Sequence, residues 1–372
     1  MFKRFYLYIK RKRNMMYNFY KYQKFMSAGI YAYDNSIKFI ARSDHYTAHK
    51  ANQIFQQNYN QVFIRLFILL LRKILFNHKI RISNFHHHLD NFSGSVYRPV
   101  RSITGYSDSR IFDFDHQKVL NLFATRSDFY STLKNYEYFQ EFFPLPKILS
   151  KDEENLSVIE ELIQFQQYSE WDEHDKCYII DEIFKKYIHY FHACKKRENV
   201  LYNKLSSFLP SDRESYEIQW FIDEIHPMLL NMKYPCLKLH GDLWTANIML
   251  IKKDSNQIYV IDWEYSNEYL FFYDFFNLMW LEVYVNHNEF YLNKYVRGEM
   301  DIYFEKIFAI FDLTFQKEHR LGYLYIFFLN FYKERVQPLH KSERHQFIHR
   351  FKKTIATIKK EGTEPIYKMM SQ

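Results

Sequence analysis

The chain has 372 residues, 47% of them hydrophobic and 20% aromatic, and 51 Lys and Arg set against 43 Asp and Glu give a net charge of +8. That length can bury one large core or two modest ones, and the basic balance favours phosphates, nucleotides or anionic lipid as partners. Three dispersed cysteines, Cys177, Cys194 and Cys236, contain no CxxC pair, which argues against structural zinc and for a reducing, cytoplasmic compartment.

Residues 1–98 read as a basic, aromatic N-terminal extension. Lys3, Arg4, Lys10, Arg11, Lys12, Arg13, Lys21 and Lys24 all precede the first acid, Asp34. No uninterrupted apolar stretch follows them, so no secretory signal is expected. No run reaches the roughly 18 apolar residues that span a bilayer. The stretch FIRLFILLLRKILF (63–76) comes nearest and predicts a helix with Arg65 and Arg72 on one face. Its apolar stripe fits either a core helix or a helix lying on an anionic membrane surface. His86, His87 and His88 are adjacent, and a regular element cannot aim all three at one metal. The section ends at the turn-like NFSGS, 91–95.

Residues 99–164 read as a small α+β region. SRIFDF (109–114) and KVLNLF (118–123) predict a hairpin closed by DHQ. Residues 127–143 carry a helical repeat through Phe129, Leu133 and Tyr136. PKIL (146–149) and SVIEEL (157–162) predict two strands around a polar turn. From 165 to 372 the pattern is mainly helical. Ser211 and Glu214 fit a capping box before an amphipathic run over 212–230. CLKLHGD, NIMLI and IYVIDW interrupt the helices as short apolar strands, the last two joined as a hairpin by KKDSNQ.

LHGDLWTANIM (239–249) sets a carboxylate and an amide five positions apart, between two strands. A core favours neither group, and a loop that does chemistry uses both. His240-Gly241-Asp242 with Asn247, then a hairpin ending in VIDWEYS with Asp262, resembles the aminoglycoside phosphotransferase and choline/ethanolamine kinase superfamily of the protein-kinase-like fold. The resemblance is firm over about 236–280, weaker over 100–165, and absent over 1–98. It implies a two-lobed α+β fold with a small β-rich N-lobe (99–164), a large helical C-lobe (165–372) carrying the catalytic loop and metal-binding hairpin, and the N-terminal extension.

It also implies roles. Phosphoryl transfer passes through a loose, charge-spread transition state, so the protein mainly positions groups and neutralises charge. Asp242 would take or orient the acceptor's hydroxyl proton, and His240 would brace its loop. Asn247 and Asp262 are hard oxygen ligands suited to Mg2+. Asp274, twelve residues after Asp262, is expected to anchor the catalytic loop. Gly105, Ser107 and Ser109 stand where a phosphate-capping loop belongs, and Glu161 to Ile163 where a hinge would hold adenine. One departure is plain. In the strand aligned as V-A-I-K, Asn121 occupies the place of the phosphate-binding lysine, on the face of Val119, and Glu137 is the helix glutamate without its usual partner. Arg126, just past the strand's end, is the cation that could substitute.

The implied activity is ATP- and Mg2+-dependent transfer to a hydroxyl of a small non-protein acceptor. The acceptor would be choline- or ethanolamine-like, a sugar or an aminoglycoside. Trp263, Trp280 and Tyr284 are the aromatic faces available to a quaternary ammonium. The alternatives are a kinase of envelope glycans or lipid-linked sugars, peripheral to the membrane through its basic N-terminal section, and a pseudokinase serving as a binding module. No nucleic-acid partner is expected.

Overall fold

The computed structural model describes residues 2–55, 62–83, 91–101, 107–209, 216–252 and 256–363. The chain forms an α+β structure of two compact units: a β-rich one built from residues up to Trp171 together with Met249–Glu264, and a mainly helical one built from Asp172–Ile248 and residues from Tyr265 onward.

The β-rich unit begins with α1 (Phe2–Lys21), β1 (Gly29–Tyr33), β2 (Ile40–Arg42), α2 (His45–Phe55), α3 (Val62–Leu75) and β3 (Ile80–Ile82). It continues through β4 (Val96–Arg101), β5 (Ser107–Asp113), β6 (Lys118–Leu122), α4 (Arg126–Phe139), β7 (Ile148–Asp152) and β8 (Ser157–Glu161). These strands make one antiparallel sheet in the order β3-β1-β2-β4-β5-β6-β8-β7. The composition break near residue 98 is therefore not a break in the fold, because β1 to β3 extend the same sheet through the β2–β4 pairing.

Alternation in the strands builds two cores. One face of the sheet buries Tyr97, Ile111, Leu120 and Ile159 against Met15 and Phe19 of α1 and Leu71 of α3. The other packs Val96, Phe112 and Val119 against Ala51 and Phe55 of α2. The predicted hairpin is β5–β6. Its turn is held by Asp113 Oδ1, which accepts from the backbone N–H of Asp115 and His116, with Gln117 left-handed at φ 53°. Thr125 caps α4 by accepting from Asp128 N at 3.1 Å.

The helical unit opens with α5 (Glu173–Lys196), capped by the Asp172/Asp175 box. It contains β9 (Leu201–Lys204), α6 (Tyr216–Asp223), α7 (Pro227–Asn231) and β10 (Lys233–Leu239). The chain then crosses into the β-rich unit as the hairpin β11 (Ile248–Lys252) and β12 (Asn256–Val260). It returns through β13 (Asn267–Leu270), α8 (Tyr273–Asn286), α9 (Phe290–Val296), α10 (Asp301–Ile310), α11 (Arg320–Phe331) and α12 (Lys341–Thr363). The run expected as one helix over 212–230 is two, because Pro227 has no N–H to continue the first and instead starts the second. Ser211 and Glu214 lie outside the described residues. β9, β10 and β13 form a small antiparallel sheet. Beside it α8 is buried almost all round, as its continuous apolar sequence requires.

Candidate active site

In the helical unit, β10 delivers His240, Gly241 and Asp242 at its C-terminal end. Asp274, in the first turn of α8, is fully buried. Its Oδ2 accepts from His240 N at 2.8 Å and from Tyr187 Oη at 2.5 Å, and its Oδ1 accepts from Gly241 N at 2.9 Å. Burial pushes its pKa up to about 6, against the pull of these three donors. His240 is also buried, and its Nδ1 accepts from Asp242 N at 3.2 Å. Gly241 sits at φ +76°, and a Cβ there would come within 2.5 Å of the Tyr265 carbonyl oxygen. Only glycine fits that close left-handed turn.

Five positions on, Asn247 donates through Nδ2 to the Asp242 carbonyl at 2.8 Å and to Oδ2 of its carboxylate at 3.3 Å. That engages the amide nitrogen and leaves Oδ1 as the amide's other polar atom. Further along the loop, Leu243 O accepts from Asn277 Nδ2 at 3.0 Å, and the Thr245 hydroxyl bonds Glu282, both partners lying on α8. From the π-helical turn after α11, Arg335 donates to Gly241 O at 2.8 Å. It stands 3.5 Å from Asp242 Oδ1 and lies over the Tyr265 ring at 3.8 Å. Nothing in the local sequence KERVQ singles Arg335 out, since its role depends on a loop 94 residues away.

In the β-rich unit, Asp262 follows β12 in the left-handed conformation, at φ +62°. Aspartate tolerates that region better than most residues. The next residue, Trp263, is buried and stacked on Phe139 of α4 with ring centroids 3.9 Å apart. Its indole N–H donates to Val260 O at 2.9 Å, and its own carbonyl accepts from Asn135 Nδ2 at 2.7 Å. This wedge sets the direction of Asp262, whose carboxylate forms an ion pair with Arg110 of β5.

Arg110 stands directly opposite Asn121, the position read as lacking a cation. The register places Arg98, Arg110, Asn121 and Val158 in one row across β4, β5, β6 and β8. Directly opposed residues share a sheet face, so Arg110 lies beside Asn121 on the face of Val119. Asn121 hydrogen-bonds Glu160 of β8, and its Oδ1 is buried without a partner among the described residues. Glu160 also accepts from Tyr136 Oη at 3.0 Å. Burial raises Glu160, while Asn121, Arg110 and Tyr136 draw it back. Arg98 keeps contact with solvent, yet desolvation by the surrounding protein and the Arg110 charge lower it, with Asp262 acting in the opposite sense.

Some of the other expected site residues face away from this cluster. Glu137 is exposed on α4 and pairs with Lys151 at 3.3 Å. One helical step turns Tyr136, rather than Glu137, toward the cluster. Ser109 is buried on the opposite face from Arg110, bonded to Tyr97 Oη at 2.9 Å, so its hydroxyl serves the core. Ser107 opens β5 opposite Arg101, and Gly105 lies outside the described residues. Arg126 is exposed at the start of α4. Glu161 ends β8 with Oε1 accepting from Lys147 N at 2.9 Å, and Ile163 is buried just beyond it. Trp263 and Trp280 are core residues, and the Tyr284 ring is already covered by Arg350 and Phe347, so these three aromatics do not form a cation cage.

Asn247 and Asp262 offer oxygen donors only, which suits Mg2+ and not zinc. Among the described residues, the His/carboxylate cluster with ligand atoms close together is Asp172, His174 and Asp175. The capping box of α5 already accounts for both of its aspartates.

No protein-family model matches the chain, and no curated protein does. Solved structures do. A thermostable mutant of the aminoglycoside phosphotransferase APH(4)-Ia aligns with 73% of this chain and 97% of its own, at 12% identity and a TM-score of 0.44. The aminoglycoside phosphotransferase APH(3'')-Id of Streptomyces rimosus aligns with 63% of this chain and 92% of its own, at 12% identity and a TM-score of 0.36. A choline/ethanolamine kinase family protein of Mesorhizobium loti aligns with 72% of this chain and 88% of its own, at 15% identity and a TM-score of 0.32.

Proposed function

We propose that this protein transfers the terminal phosphoryl group of ATP to a hydroxyl of a small non-protein acceptor. The observation that carries the reading is the Asp242 loop. Its backbone is tied down at His240, Gly241 and Leu243 by buried side chains of α8, and an Asn247 amide is folded onto its carboxylate residue. Such rigidity is what a group that positions a reacting hydroxyl needs.

Asp242 accepts the hydroxyl proton as the acceptor oxygen bonds to the γ-phosphorus and the bridging oxygen departs with ADP. Asn247 Oδ1 and Asp262 are the residues that would hold Mg2+, which supplies neutralising charge for the phosphates. Arg110 and Arg98 supply the remaining cations. Two arginines directly opposed across antiparallel strands repel each other, and a bound polyanion relieves that repulsion. Arg110 thereby takes the part of the strand lysine that Asn121 lacks, which favours an enzyme over a pseudokinase. Arg335 keeps the loop carbonyl and Asp242 in register.

The test is ATP consumption by the purified chain with Mg2+ against amino alcohols, sugars, aminoglycosides and glycan fragments, with Asp262→Ala as control. Turnover on one class that disappears in the control supports the reading. No turnover on any class, together with no Mg2+-dependent ATP binding in calorimetry, would sink it.

A further inference from the structure

We propose that the outward face of α3, with the exposed basic residues of α1 beside it, is a docking surface for an anionic lipid bilayer. The first ground is that α3 is turned the wrong way for a helix in water. Phe63, Leu66, Phe67, Leu70 and Ile74 fall on one helical stripe, and all are exposed, Phe63 by 87%. On the other side, Leu71 is buried in the core and Arg72 Nε donates to Tyr33 O at 3.0 Å. An arginine thus faces the protein while phenylalanines face out. Contiguous exposed apolar surface of this kind marks an interaction site.

The second ground is charge. Neither α1 nor α3 contains an acidic residue. The helices meet where the rings of Phe5 and Phe67 lie 6.4 Å apart. Lys10, Arg11, Arg13, Arg65 and Lys73 are exposed on them, and none forms an ion pair among the described residues. Apolar side chains flanked by cations complement an anionic membrane surface, where the stripe sits among acyl chains and the cations reach phosphates. Tyr17 and Tyr20, exposed on α1, suit the headgroup level. They also line a groove of about 360 Å3, bounded by Arg13 and Leu75, that extends the apolar surface. No helix among the described residues is long and apolar enough to cross a membrane, so this surface lies on the bilayer.

The full chain is tested by co-sedimentation with phosphatidylglycerol/phosphatidylcholine vesicles, against pure phosphatidylcholine. The expected result is binding to the anionic vesicles, at least about tenfold weaker on neutral ones and weakened by about 0.5 M salt. The triple variant Phe63→Ser, Phe67→Ser, Leu70→Ser should lose about tenfold or more of this binding with its melting temperature unchanged, because those side chains face solvent. Phe63→Trp should show fluorescence quenched by brominated acyl chains. A full chain that stays in the supernatant, or an unquenched Phe63→Trp, overturns the proposal. So does a dimer that the triple variant dissociates while vesicle binding is unchanged, which would make a second copy the occupant.

Discussion

The two candidate carboxylates, one in each unit, are held by different physics. Asp242 sits on a loop fastened by buried hydrogen bonds to backbone groups, with Asp274, Asn277 and Asn247 as the side-chain partners. Asp262 is aimed by a packed tryptophan and held at its tip by one arginine. Bonds of the first kind ignore salt and depend on shape. A partly exposed ion pair is screened by salt and can be exchanged for other charges. The first arrangement suits a group that must stay still during reaction, and the second suits a group that must exchange its partner for an incoming cation and phosphates.

That contrast can be broken at several points. The largest effect is expected from Asp242→Asn, which keeps the loop bonds and removes the carboxylate. In steady-state kinetics kcat should fall roughly 10²-fold or more, the scale of a lost general base, with KM for ATP and the melting temperature little changed. A kcat within a few-fold of the parent would take Asp242 out of the mechanism. Next is Gly241→Ala, which puts a methyl group against the Tyr265 carbonyl in a left-handed turn. Urea titration should show a loss of about 2 kcal/mol, the cost of a strained residue plus a displaced neighbour. An unchanged midpoint would mean that the loop is less rigid than its bonds suggest.

Arg110→Met probes the charge-held side. KM for ATP is expected to rise about tenfold while adenosine affinity is unaffected, and about 0.5 M salt should weaken ATP binding by the parent more than by the variant. Asn121→Lys should give no gain, because it adds a like charge beside Arg110. A clear improvement in ATP affinity from that substitution would show that Arg110 does not fill the lysine's place. The smallest effect concerns Asp274, whose pKa is raised to about 6 from an unfolded value near 3.8. As pH falls from 7 to 5 the folded state takes up a proton that the unfolded chain does not, so folding gains stability as pH falls through 6. The parent should gain about 1 kcal/mol relative to Asp274→Asn over that range, and parallel pH profiles of unfolding free energy would remove the burial argument.

What was legible in the sequence is what short-range geometry controls. Asp242 and Asn247 lie on one short loop, so their spacing alone marked both as candidates, while the bond between them came only with the structure. The β5–β6 hairpin followed from alternation and a polar turn. Arg110 was hidden because its meaning depends on cross-strand register and on Asp262, 152 residues away. Ser109 missed by a single strand step, which reverses the sheet face and which Arg110 took. Glu137 missed by a single helical step, which Tyr136 took. The stripe on α3 was visible as apolar, and periodicity cannot tell which side of a helix the fold will cover.

The β-rich unit is discontinuous, and that bears on how the chain is made. Met249–Glu264 supply Asp262, the Trp263 wedge, and backbone bonds from Gln166 N to Leu250 O and from Val260 N to Pro144 O. During synthesis from the N-terminus these contacts become available only after the whole Asp172–Ile248 segment has emerged. The sheet must therefore wait, incomplete at the Phe139 surface, while α5 and β10 are already forming. A fragment ending at Trp171 would expose that surface permanently, so the sheet unit and the helical unit are a single object of translation even though each has its own core.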